Sequence, residues 1–420
     1  MNGYPSKLAS NAAGFTFYGW IILAIATLTM FFSGPGQSHT FSVFVPLIAA
    51  DLGLTKTEVA TAYSLATLFA AFFLSYMGKL VDRFGAQFVM ICVVGILGIF
   101  CFFFGATVNL LMLSVGFMGL RFFGQGSMML TSSTLVGQWF SARRGTAMSI
   151  MMLGFSASIA IHPILSQYLI NLLGWREAWF VLGVMTWIVM IPLIFLFVVD
   201  KPEKVGLYPD GISPDVDGKN GKSSSGFTLS EAMKTQTFWL IAAGLFTPAM
   251  LVTTLFFYQV SIFEQQGLSA EFAAAMFSVS ALTMVFAMPV IGRILDKTDP
   301  RFVFSASMFL LAGSLFLVGR LSSEWICFAY AICFGINTAA NMTFFGFMWA
   351  RYFGREHLGS IQGVGQTIGV VGASIGPIPL GIAEDFLGGF DAALNLLALM
   401  PIMVGFTLLM LSDPKRKSTI

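Results

Sequence analysis

Apolar stretches of eighteen or more residues recur along the whole of this chain, and that feature decides what it can fold into. Inside a bilayer no water meets an exposed N–H or C=O, so each stretch must close its own hydrogen bonds as a helix. Soluble domains carry about 25% charged residues. Here the share is 10%, against 57% hydrophobic, too little to cover a soluble surface. The expected fold class is an all-α polytopic membrane protein. Twelve spans are expected, over 17–47, 58–78, 88–107, 110–138, 146–170, 176–199, 236–262, 270–292, 302–319, 325–349, 358–382 and 390–411.

The stretch between the sixth and seventh spans begins DKPEKVGLYPDGISPDVDGKNGKSSSG and reads as a solvated linker. The expected organisation is an N-terminal six-helix bundle (1–199), a cytoplasmic linker (200–235) and a C-terminal six-helix bundle (236–420). Of the 22 lysines and arginines, eighteen fall on the side that holds both ends and the linker. Only Lys56, Arg176 and Arg320 fall on the other, and Arg121 lies within a span. The basic side faces the cytoplasm. The expected location is the plasma membrane, or the inner membrane of a Gram-negative cell. The first apolar segment continues past Phe41 without a small-residue cleavage site, so it reads as a span and not a signal peptide. Cys92, Cys101, Cys327 and Cys333 lie in apolar stretches without metal-ligand spacing and read as small core residues.

The two halves echo each other. GKLVDRFG begins at Gly78 and GRILDKTD at Gly292, an offset of 214. Pro163 and Pro377 share that offset, and QWFSARRGTAMS and ARYFGREHLGSIQG align within a residue of it. One shared offset among several weak marks indicates a duplicated six-helix unit, hence two pseudo-symmetric bundles.

Twelve spans, a central linker and a G-x-x-x-D-(R/K) loop in each half resemble the major facilitator superfamily over nearly the whole chain. In the first loop Ala86 and Gln87 stand where the family has a basic pair. GW…GPGQSHTFSVF and QWF-x-x-RRG-x-A look more specifically like the monocarboxylate-porter and oxalate/formate-antiporter branch. The resemblance implies alternating access, with Gly78, Asp82 and Arg83, and again Gly292, Asp296 and Lys297, as conformational latches. The glycines would let helices approach closely. That branch commonly places an arginine before a proline in the eighth helix; here Met288 precedes Pro289. The usual anion clamp is missing at that position.

Every acidic residue falls in a loop or at a span end, but one base lies deep: Arg121, in MGLRFFGQGSMML. A charge at such depth marks a pathway or a buried partner. Arg121, Gln125, Met128 and Ser132 recur at helical spacing and would share a face. One reading is an arginine satisfied by backbone carbonyls. The other is an electropositive spot that holds a carboxylate bidentately. Ser158, His162 and Ser166 are spaced by four beside Pro163, and a histidine there suits proton coupling as well as packing.

SGPGQSHTFSVF (33–44) interrupts the first apolar segment. Broken backbone at membrane depth must meet protein or water, and discontinuous helices point to transporter sites. The expectation is a cavity, lined by Gln37 or His39. On a regular helix the two point about 200° apart. The family resemblance places His39 where the monocarboxylate branch has a lysine. In the second half Tyr258, Asn337 and Asn341 are candidates to line the site or to join helices.

The leading reading is a secondary transporter of a small organic anion, a monocarboxylate, with protons as the coupled ion. Anion exchange and export of a lipophilic compound are the alternatives. No nucleotide-binding loop or metal cluster appears, so no cofactor and no enzymatic activity are expected. The expected partners are the anion, protons and membrane lipid, with no nucleic acid, and the chain acting as a monomer.

Overall fold

The computed structural model describes residues 17–140, 143–211, 227–354 and 358–414. Among them, ten helices are long and apolar enough to cross a membrane. They are the second span (Lys56–Phe84), third (Ala86–Gly105), fifth (Arg144–Leu173), sixth (Trp175–Phe197), seventh (Gln236–Gln265), eighth (Ala270–Lys297), ninth (Pro300–Val318), tenth (Glu324–Phe353), eleventh (Leu358–Ile375 with Pro377–Leu387) and twelfth (Asp391–Leu408). The remaining two are present but interrupted. The first runs as Gly19–Phe32, a 3-10 turn over Gly34–Gly36, then Ser38–Phe41 and Val45–Leu52. The fourth runs as Leu110–Gly119, a π-helical stretch over Leu120–Ser127, then Met128–Trp139. The chain has the twelve-helix all-α fold, and the deep polar residues His39 and Arg121 lie in the interrupted first and fourth spans.

Local chemistry starts the helices. Asn109, Thr235 and Ser269 each accept the backbone N–H three residues on, satisfying an orphan donor. Thr55 and Glu58 form a capping box at the start of the second span. Single glycines turn the chain between spans: Gly85 (φ 86°) and Gly174 (φ 94°) adopt a backbone that side-chain-bearing residues avoid.

The chain divides into two units, Met1–Leu54 with Leu65–Asn220, and Thr55–Ser64 with Gly221–Ile420. In the first unit the third and sixth spans meet where Trp187 Nε1 donates to the Val94 and Gly95 carbonyls, beside Gly98. The first and fifth meet where Gly154 rests on the Thr27 carbonyl. In the second unit Ser305 of the ninth span donates to the Gly405 carbonyl of the twelfth at 2.7 Å. The seventh and eleventh meet where a Cβ on Gly372 would lie 2.8 Å from the Phe246 carbonyl oxygen. Third with sixth and first with fifth become, six spans on, ninth with twelfth and seventh with eleventh. The internal pairing repeats as the sequence echo does. Small residues let these backbones approach where lipid supplies no hydrophobic drive.

Candidate polar site in the first unit

The site is built on the break in the first span. Pro35 has no N–H to continue the helical ladder, and Gln37 is extended (φ −102°, ψ 148°) before the chain re-enters a helix at Ser38. The loosened backbone is stitched locally. Ser33 Oγ donates to the Met30 carbonyl at 2.7 Å, and Gln37 Nε2 donates to Ser33 Oγ at 3.2 Å. Gln37 therefore turns back into the break, while His39 turns elsewhere, so the rotation removes the regular-helix geometry expected of the pair.

On the Gly36 side the break meets the backbone of the fourth span. A Cβ on Gly36 would press on the Leu120 carbonyl oxygen and lie 2.7 Å from Gly124 Cα and 2.8 Å from Gln125 N. Only a glycine on each side permits this contact between the first and fourth spans. The π-helical stretch of the fourth span lies against it. There the i→i+5 winding widens the turn, as Ser127 Oγ donating to the Phe122 carbonyl illustrates. The regular helical face expected from Arg121 through Ser132 is interrupted over this stretch. Arg121, Met128 and Ser132 are buried, and Gln125 is half-buried.

Arg121 is 2% exposed. Its Nη1 donates to the Gly36 carbonyl at 3.0 Å and to Ser38 Oγ at 3.5 Å, and its Nε donates to Thr67 Oγ1 at 3.1 Å. These acceptors are a carbonyl and two hydroxyls. They satisfy guanidinium donors without cancelling its charge. The hydrogen bond to the Gly36 carbonyl shows Arg121 holding the broken backbone, the first of its two sequence readings.

On the other side of the break His39 Nε2 lies 3.1 Å from Ser158 Oγ, and Ser158 Oγ lies 3.2 Å from His162 Nδ1. All three are buried. The His162 ring packs against Gly34, where a Cβ would lie 2.5 Å from ring atoms, and its centroid is 4.7 Å from that of Phe31. Gln37, His39, Arg121 and His162 are therefore gathered around one break. Thr67 and Ser38 escaped the sequence reading, because a hydroxyl in an apolar helix carries no signal of its own. Ser158 was visible only as a member of the His162 face.

In the second unit Tyr258 is fully buried and its hydroxyl donates to the Lys56 carbonyl at 3.3 Å. Asn337 Nδ2 donates to the Ser307 carbonyl at 2.8 Å, while its buried Oδ1 has no hydrogen-bond partner among the described residues. Asn341 is half-buried. Gln259, not singled out from sequence, donates to the Ala273 carbonyl and accepts from the Tyr330 hydroxyl. Of the expected latch residues, Arg83 and Lys297 are exposed, with the Arg83 guanidinium 5.2 Å from the centre of the Phe84 ring. A Cβ on Gly292 would meet nothing within 4 Å among the described residues. Gly78, Asp82 and Asp296 lie outside the residues whose side-chain placement is described. Among the described residues no three His, Cys, Asp or Glu side chains gather to hold a metal.

The family model for the Major Facilitator Superfamily matches residues 19–377. The 4-hydroxybenzoate transporter PcaK of Acinetobacter baylyi is 23% identical over 88% of this chain and 87% of its own. A probable hexose phosphate transport protein of Chlamydia pneumoniae is 24% identical over 85% and 84%. Human monocarboxylate transporter 2 is 25% identical over 76% and 70%. Among solved structures, a bacterial homologue of the human lysosomal transporter Spinster superposes with a TM-score of 0.74 at 16% identity, over 96% of this chain and 100% of that one.

Proposed function

The chain belongs to the major facilitator superfamily, a transporter and not an enzyme, and from that membership we propose that it moves a small organic anion, a monocarboxylate, by alternating access with protons as the coupled ion. The observation that carries this reading is the guanidinium of Arg121, buried within a membrane span and hydrogen-bonded to Gly36, Thr67 and Ser38 at the break of the first span. A desolvated positive charge attracts an anion strongly, and a guanidinium fork matches a carboxylate. The similarity to transporters named for 4-hydroxybenzoate, hexose phosphate and monocarboxylates agrees on one point, since all of these are organic anions. Gln37, Gln125 and His39 stand with Arg121 as substrate-binding residues of the first half, Tyr258, Asn337 and Asn341 are the substrate-binding residues proposed for the second half, and His39 and His162 bind the proton. Both chain ends lie on the cytoplasmic side of the plasma membrane.

A second reading has its own observation. The first unit holds an apolar groove of about 510 Å3 lined by Phe69, Phe73, Phe88, Phe100, Phe122 and Phe123. Such a surface suits a lipophilic compound and favours an exporter.

A thermal-shift screen of the purified protein separates the two. A ligand that binds only the folded state raises its apparent stability, by about 2.7 kcal/mol at a hundredfold excess over Kd. The expected result is stabilisation by 4-hydroxybenzoate or lactate, stronger at acidic pH, and loss of that effect in Arg121→Gln. Stabilisation by tetraphenylphosphonium alone would transfer the assignment to the exporter.

A further inference from the structure

His39 and His162 come from different spans yet bond to the same hydroxyl, Ser158 Oγ, at 3.1 and 3.2 Å. A hydroxyl has one hydrogen to give and lone pairs to receive. When Ser158 donates to one ring, it is free to accept only from a protonated nitrogen of the other. Two neutral rings in this arrangement must therefore be set oppositely: His39 carries hydrogen on Nε2 while His162 Nδ1 is bare, or the reverse.

We propose that His39, Ser158 and His162 form one proton-sharing unit in which the Ser158 hydroxyl passes a proton between the two rings. The proposal deepens the proton-coupled reading above and rests on it for its role in transport. The transfer starts when His39 has bound an extra proton and carries hydrogen on both ring nitrogens. Its Nε2–H bond then breaks as a new Ser158 Oγ–H bond forms, leaving His39 neutral with hydrogen on Nδ1. The former Oγ–H bond breaks as Nδ1–H forms on His162, which becomes the imidazolium. One proton and its positive charge move, no electrons are exchanged, and Ser158 ends as a neutral hydroxyl. The reverse sequence returns the proton.

Several features hold the unit in register. Ser158 and His162 are four apart on the fifth span and so lie on one helical face. Gly34 seats the His162 ring, since a Cβ there would lie 2.5 Å from its atoms. The break then carries the chain to His39, so one interruption of the first span positions both rings. Burial of all three residues keeps bulk water from replacing the bridge.

Arg121 of the fourth span is a charged group that acts on this unit, and it reaches Ser38, the neighbour of His39 in the chain. Among the packed elements, helices Gly19–Phe32 and Met128–Trp139 carry no titratable side chain, and neither does the turn Gly34–Gly36. The sixth span carries Arg176, paired with Asp51 at 2.6 Å, and Glu177 in its first turn. An anion drawn to Arg121 would offset the positive charge beside His39, so anion and proton would favour one another's binding.

The chain has three histidines, His39, His162 and His357, which makes the test direct. Full-length protein with 15N-labelled histidine, carrying His357→Gln, is placed in lipid nanodiscs and its ring nitrogens are followed against pH by NMR. The expected result is that both rings respond to the same protonation step, as coupled sites do. Ser158→Ala should separate them into independent titrations, and Ser158→Thr, which keeps the hydroxyl, should restore the common step. Independent titration of the two rings in the protein that retains Ser158 overturns the proposal, and needs no further variant to fold. A common step in a protein that shows no proton-driven uptake of 4-hydroxybenzoate would uphold the shared proton while overturning the transport reading.

Discussion

Arg121 Nη1 donates to the carbonyl of Gly36 at 3.0 Å, tying the π-helical part of the fourth span to the broken part of the first. One residue thereby repairs a backbone defect and places a positive charge beside it. Removing the side chain should expose both roles. Arg121→Ala leaves a buried carbonyl without this donor, which costs about 1–3 kcal/mol. Arg121→Gln retains an amide donor for it and should unfold closer to the wild-type temperature. Thermal unfolding of the two variants in one detergent checks the order.

The glycines of the break predict a graded series. Gly36→Ala would press a methyl on the Leu120 carbonyl and the Gly124 backbone, which cannot step aside as a side chain can. Overpacking of this kind costs about 1–3 kcal/mol. Gly34→Ala meets the His162 ring, which can move, so its loss of stability should be smaller while its effect on the proton site is larger. Gly292→Ala meets open space within a helix and should raise stability by roughly 0.5–1 kcal/mol, the ordinary gain of alanine over glycine. Melting temperatures of the three variants, with histidine NMR of Gly34→Ala, test the series.

Asp385 predicts a cap built from afar in the chain. Its carboxylate accepts the N–H of Lys56 at 3.2 Å and of Thr57 at 2.7 Å, at the start of the second span. A helix N-terminus gathers unpaired donors and partial positive charge, and losing such a cap costs about 1 kcal/mol. Asp385→Ala should lower the melting temperature, and Asp385→Asn, which keeps an acceptor, should lower it less. Equal losses in the two variants would mean that the carboxylate does not act as a cap.

The twelve spans were legible because an apolar run long enough to cross a bilayer has one stable form. The break was legible too, since Gly34-Pro35-Gly36 cannot continue a helix of regular form. What fills the break was not. Sequence spacing pointed to a cavity lined by Gln37 or His39, and it said nothing of the packing of Gly36 on Gly124, which only the fold brings there. The π winding at Leu120–Ser127 escaped for a similar reason, because face arguments assume one helical period throughout. The histidines were found singly by type and depth. Their joint bond to Ser158 needed the first and fifth spans packed together.

The central claim is that the charge of Arg121, beyond its hydrogen bonds, serves to bind an organic anion moved with protons. Uptake into proteoliposomes under an imposed inward proton gradient tests it most directly, with labelled 4-hydroxybenzoate, lactate and glucose 6-phosphate offered in turn to wild type, Arg121→Lys and Arg121→Gln. The account predicts accumulation of a monocarboxylate by wild type, reduced accumulation by Arg121→Lys, which keeps charge without the fork, and none by folded Arg121→Gln. Accumulation by Arg121→Gln at the wild-type rate would contradict it and leave Arg121 as the clasp of a broken helix alone.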